Sequence, residues 1–172
     1  MGNEYGYQIS EAPARFDGAR VLARVVDGLA FRYRWATEGL RPEDFDFRPG
    51  PTSMTTREIM KHVLNLVLMV KQSVFDADER ESPDTDDPEA LRSAALENLR
   101  LAREHLASLD DAALARHRVL KRDGSRWPIW NILNGPLADA LTHVGQINAW
   151  RRLSGNPTPA ANVFAGLPPE AP

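Results

Sequence analysis

Residues 136–153 read PLADALTHVGQINAWRRL, followed at once by Gly155-Asn156-Pro157. A helix is expected from roughly Pro128 or Pro136 to Leu153, and Gly155, Asn156 and Pro157 give it a firm C-terminal stop. Pro136 either begins this helix or kinks it, because a proline lacks the N–H that a helix interior needs. At 100° per residue, Ile132, Pro136, Asp139, His143, Gln146, Ile147, Trp150 and Leu153 fall on one face. That face is mostly apolar, so it predicts packing against other helices. Asp139 and His143 lie one turn apart near its middle.

Working outward, three further helical segments appear. The first runs from about Pro13 to Gly39, with Phe16, Ala19, Ala23, Val26, Ala30 and Tyr33 at three- and four-residue steps. Residues Glu43–Ser53 carry two prolines and a glycine and read as a loop. The second helix opens on Thr55 and Glu58, the spacing of a capping box. Its stripe is Ile59, His62, Val63, Leu66, Val70 and Val74. An acidic connection follows from Asp76 to Asp87. The third helix starts with Asp87 as N-cap and Pro88 at the first helical position, and continues through Leu91, Ala95, Leu99, Ala102, Leu106 and Leu109. Val119 to Trp127 predicts a small hairpin turning at Asp123-Gly124. From about residue 156 the tail reads as extended and irregular. Four helices with one long crossover predict an all-α four-helix bundle, a single domain over residues 1–172.

Composition agrees with one soluble domain. The chain has 172 residues, 42% apolar and 26% charged, enough to bury a core unaided. It has no cysteine, which excludes disulfides, zinc–thiolate sites, iron–sulfur clusters and an internal thiol nucleophile. A net charge of −3 argues against a nucleic-acid partner. No apolar run approaches the roughly 18 residues of a membrane span, and the start lacks a signal-peptide layout. A cytoplasmic location is therefore expected. Paired Glu-x-x-His motifs, His-Glu-x-x-His, Gly-x-Ser-x-Gly, a P-loop and a dinucleotide fingerprint are all missing.

The polar residues inside apolar stripes carry the functional signal. Burying His62, Asp139 and His143 is costly unless they pair or bind a cation. Three inward groups from two helices can converge on one ion. They can equally be hydrogen-bonded core residues, with Asp139 orienting His143 or pairing with Arg20. Gln146 lies one turn beyond His143 and either supports it or packs against a neighbour. Asn65 follows His62 by three residues and can face the same cavity. Trp127, Trp130, Asn131 and Asn134 precede the last helix and either line its mouth or, for the tryptophans, anchor a core or a dimer interface. His105 and His117 read as surface or loop residues. Arg116-His117-Arg118 with Lys121-Arg122 reads as a solvated basic face.

His62 in the second helix, Asp139-Ala-Leu-Thr-His143 in the fourth and the Gly145-Gln146 pair after it resemble the DinB/YfiT-like superfamily, along nearly the whole chain. That family's usual pattern is a histidine in helix two, then His-x-x-x-His and Gly-Gln. The resemblance implies an up-down-down-up bundle, often dimeric, with a divalent metal held by His62, Asp139 and His143. Asp139 departs from the usual histidine. A carboxylate there is similar to the glutamate of mycothiol-dependent maleylpyruvate isomerases. Two imidazoles and one carboxylate suit zinc, nickel, iron(II) or manganese, and three ligands leave a position open. The resemblance further implies a metal-dependent S-transferase that joins a low-molecular-weight thiol to a small electrophilic substrate. A metal-assisted hydrolase and a non-catalytic, stress-related bundle are the alternatives. No general base is assigned.

Overall fold

The computed structural model describes residues 5–80, 82–121 and 123–170. The chain is mostly helical, with four long helices and a two-stranded ribbon, compatible with a helical bundle. In chain order the elements are α1 (Gly18–Thr37), α2 (Pro42–Phe45), α3 (Thr56–Val74), α4 (Pro88–Ser108), α5 (Asp111–Leu114), β1 (Arg118–Leu120), β2 (Arg126–Pro128), a π turn (Leu133–Leu137) and α6 (Ala138–Leu153). The long helices pack in a closed cycle, α1 on α4, α4 on α3, α3 on α6 and α6 on α1. Among the described residues no helix is long and apolar enough to cross a membrane.

Local chemistry sets most boundaries. Thr55 and Glu58 cap α3 reciprocally, with Thr55 Oγ1 accepting from Glu58 N and Glu58 Oε2 from Thr55 N at 2.7 Å. Asp87 accepts from Ala90 N at 2.9 Å and starts α4. The hairpin pairs Val119 with Trp127 antiparallel, Gly124 takes a positive φ in the turn, and β1 rests on α3.

Several expectations are corrected. α1 begins at Gly18 rather than Pro13, because Asp17 is the N-cap and accepts from Arg20 N at 3.0 Å. Phe16 therefore lies outside the helix and outside the core. The loop expected at Glu43–Ser53 begins as the single helical turn α2. Leu109 is the C-cap of α4 rather than part of its stripe. Pro128 belongs to β2 and not to the last helix. The chain kinks inside the π turn at Gly135 (φ −93°, ψ −113°), and Pro136, the next residue, stands at the start of the helical segment that runs into α6, as one of the expected alternatives has it. The tail is irregular but pinned, with Ile9 N donating to Gly166 O at 2.8 Å.

The face that α6 buries is also different. Its buried residues are Ala140, Val144, Ile147 and Arg151, a line rotated by roughly 100° from the expected one at 100° per residue. Ala140 and Val144 are small enough to sit against the neighbouring helices. Asp139, His143 and Gln146 fall instead at the seam with α3, and Leu153 is exposed. Arg151 is buried at the base of the bundle, where its guanidinium donates to the carbonyls of Ala36, Glu38 and Asn156. It thereby satisfies carbonyls beyond the reach of the α1 helix ladder.

Candidate metal centre

His62 projects from the middle of α3, and Asp139 and His143 from the first two turns of α6. The packing of α3 on α6 brings the three together, with one ligand atom of each within 4.8 Å of the others. Asp139 is the hub. Its Oδ2 lies 3.5 Å from His62 Nε2 and its Oδ1 lies 3.5 Å from His143 Nε2. The imidazoles meet edge to face, with centroids 4.4 Å apart and planes at 78°.

These separations exceed a good N–H···O hydrogen bond of about 2.9 Å. They are close to the roughly 3.3 Å between two ligands each about 2.0 Å from a tetrahedral zinc. The donor atoms thus converge without closing on each other, all three lying within 4.8 Å of one another. The side chains are 36% (His62), 49% (Asp139) and 15% (His143) exposed, so the cluster sits at a solvent-facing seam. The expectation of three inward core groups is corrected by the rotation of α6. A seam keeps the carboxylate hydrated and leaves one side of the cluster approachable.

Gln146 supports the cluster directly. Its Oε1 lies 2.7 Å from His143 Nδ1. A carbonyl oxygen only accepts, so Nδ1 donates to it, and in the neutral ring Nε2, facing Asp139, is the nitrogen with the free lone pair. Such a partner fixes ring and tautomer for a metal-binding histidine. Arg20, weighed as a partner of Asp139, is committed elsewhere, to Asp17 and to the carbonyls of Ala107 and Leu109.

A groove of about 480 Å³ opens beside Asp139, walled by Leu66 and Met69 of α3 and by Asn134, Pro136 and Thr142 across from them. Asn134 is the one residue of the predicted mouth that lines it. The break at Gly135 turns the chain so that Asn134 and Asp139 share one opening. Met69 and Thr142 escaped the sequence reading, although Met69 lies seven residues beyond His62 and Thr142 three beyond Asp139, both helical same-side spacings. Asn65 is half-buried on α3 and Asn131 half-buried before the π turn, and neither lines this groove. Trp130 lines a different groove, with Phe16 and Val21. Trp127 is exposed on β2, with Lys121 Nζ 4.2 Å from its ring centroid.

The other two histidines form a separate pair. His105 is half-buried in the last turn of α4, stacked 4.2 Å from Phe75, with the His117 ring 6.5 Å away. Burial, and then the neighbouring His117, push the His105 imidazole below its ordinary value. The surface reading is too simple for His105. Comparison with protein-family models, curated proteins and solved structures finds no match to this chain.

Proposed function

We propose that the chain is a DinB/YfiT-like up-down-down-up bundle that binds a divalent metal at His62, Asp139 and His143 and works in the cytoplasm as a metal-dependent thiol S-transferase. The convergence of three ligand-competent atoms on one seam carries this reading. The nitrogen and oxygen donors fit zinc, nickel, iron(II) or manganese. Three protein donors leave room for an exogenous ligand, the pattern of a catalytic rather than a closed structural site. A metal ion supplies Lewis acidity that favours the thiolate form of a cofactor thiol, the nucleophilic form.

The chain's own residues do the rest. His62, Asp139 and His143 hold the ion, and Gln146 holds His143 in the tautomer that presents Nε2. Leu66, Met69 and Pro136 offer an apolar wall to the body of a small electrophile, while Asn134 and Thr142 bring an amide and a hydroxyl to the same groove. Because the chain has no cysteine, any sulfur in the reaction comes from a soluble thiol.

Elemental analysis of protein purified without chelator tests the metal, and thiol consumption with a chlorinated or epoxide electrophile tests the chemistry. One ion per chain in the wild type, lost in His62→Ala and His143→Ala variants that still fold, supports the reading. Turnover of an ester without any thiol would instead favour the hydrolase. Folded protein that never retains an ion would leave a non-catalytic bundle.

A further inference from the structure

Where α1 begins, a groove of about 600 Å³ runs between α1, α5 and the chain that leads into the π turn. Leu22, Leu114 and Ile132 line its buried side, and the rings of Phe16 and Trp130, 96% and 76% exposed, stand at its rim. Among the described residues its only charged lining groups are two carboxylates, Asp17 and Asp111. Asp111 Oδ1 accepts from Ala19 N at 3.1 Å, and its Oδ2 has no donor among the described residues. A Cβ on Gly18 would lie 3.1 Å from Asp111 Oδ1, so the glycine lets this carboxylate close on the start of α1. Asp17 Oδ2 is shut off from water without a hydrogen bond among the described residues, and Arg15 lies over it at 3.3 Å. That leaves Asp111, exposed and with one oxygen unused, facing the groove.

We propose that this groove binds a small organic cation, an amine carried on an apolar body. The inference is independent of the metal reading, since the groove shares no residue with the triad or with the groove beside Asp139. Its volume lies within the roughly 300–1,000 Å³ of small-molecule sites. The apolar walls take the body of the ligand, and Asp111 takes the ammonium. Charge complementarity selects this class over the others. An anion finds no donor, because the N–H groups of Ala19 and Arg20 at the start of α1 are already held by Asp111 and Asp17. The Arg20 guanidinium is likewise committed, to Asp17 and to the carbonyls of Ala107 and Leu109. A neutral apolar molecule would strip water from Asp111 and return nothing. An ammonium replaces that water with a charge-assisted hydrogen bond, and the rim rings offer it aromatic faces.

Three probes that share one body separate the charge from the walls: phenylbutylamine, phenylbutanol and phenylbutanoate. Each is titrated into the isotope-labelled full chain and followed by NMR at the Trp130 indole N–H, assigned by its loss in Trp130→Phe. A ligand of this size is expected to bind the groove with a Kd of about 1 mM. The amine should bind about tenfold tighter than the alcohol, because a hydrogen bond to a charged partner is roughly twice as strong as a neutral one. The carboxylate probe should bind more weakly than either. Asp111→Asn keeps an acceptor for Ala19 N and should remove most of the amine's tenfold advantage, while alcohol affinity stays within about twofold. Phe16→Ser should weaken amine and alcohol alike.

Equal affinity for amine and alcohol overturns the proposal, as does a preference for the amine that survives Asp111→Asn. Shifts that spare the Trp130 indole put the amine elsewhere on the chain and overturn it too. A dimer of the free chain in sedimentation equilibrium, dissolved by Trp130→Ser, would give the groove to a second copy instead. Circular dichroism melts check that each variant folds. Should Asp111→Asn fail to fold, the wild type still decides: added salt must weaken the amine and leave the alcohol unchanged, and a salt-independent preference overturns the assignment to a carboxylate.

Discussion

Replacing Gln146 by leucine removes the one acceptor seen on His143 Nδ1 while keeping a side chain of similar size. In the wild type the 2.7 Å contact to Oε1 specifies the hydrogen on Nδ1 and aims Nε2 at Asp139 Oδ1, 3.5 Å away. Leucine leaves the ring free to take the other tautomer and to turn out of the cluster. Loss of such a supporting hydrogen bond lowers metal affinity about 10–100-fold, or about 1.4–2.8 kcal/mol. Isothermal titration of metal-free protein with zinc or nickel measures the change. Gln146→Glu keeps an acceptor at the same place and should bind at least as tightly as the wild type. Thermal melts of both metal-free variants report any general damage. Gln146→Leu affinity within twofold of wild type, with His62→Ala still abolishing binding, would refute the argument that His143 must be held by this contact.

Asp44 should matter to stability and to its acid limit. Its nearly inaccessible carboxylate accepts from Arg41 backbone and side chain, from Ser154 Oγ at 2.7 Å and from Asn156 Nδ2 at 2.6 Å. Burial alone would raise this carboxyl, but those donors together hold it well below the usual carboxylate range. Asp44→Asn should cost about 2–3 kcal/mol at neutral pH, lowering Tm by about 4–12 °C. Because the folded value is depressed, the stabilisation is complete above the unfolded value near pH 4 and is lost as pH falls below it. The gap between wild type and variant in urea titrations should therefore narrow by up to about 1.4 kcal/mol per pH unit below pH 4, and a gap unchanged down to pH 3 would contradict the assignment. At Gly166, with φ +69°, an added Cβ would lie 2.6 Å from Ile9 Cβ. Gly166→Ala should release the tail from Ile9 and speed hydrogen exchange at the Ile9 amide. Unchanged protection would show that the tail is held elsewhere.

Much of this protein is legible in its sequence where short-range chemistry decides. Thr55 with Glu58, Asp87 with Pro88, and Asp123-Gly124 each act within three or four residues, and each marks its element. The helical spacing likewise places Asp139 and His143 one turn apart, and the missing cysteines restrict any metal to nitrogen and oxygen donors. Gln146 is readable too, at the three-residue step from His143.

What needed tertiary structure was rotation and register. Periodicity fixes which residues share a face but not which face the neighbours cover, and in α6 the small residues Ala140 and Val144 take the core side. The triad consequently lies at a hydrated seam rather than in the interior. Whether His62, 77 positions before Asp139 in the chain, reaches that carboxylate depends on how α3 packs on α6, and no local signal encodes it. The same holds for the break at Gly135, which joins Asn134 and Asp139 in one groove, and for Phe16 and Trp130, which meet at another. Residue type and spacing determine the donors and the helices that carry them. Long-range packing decides their separation, their exposure to water and the surfaces left uncovered.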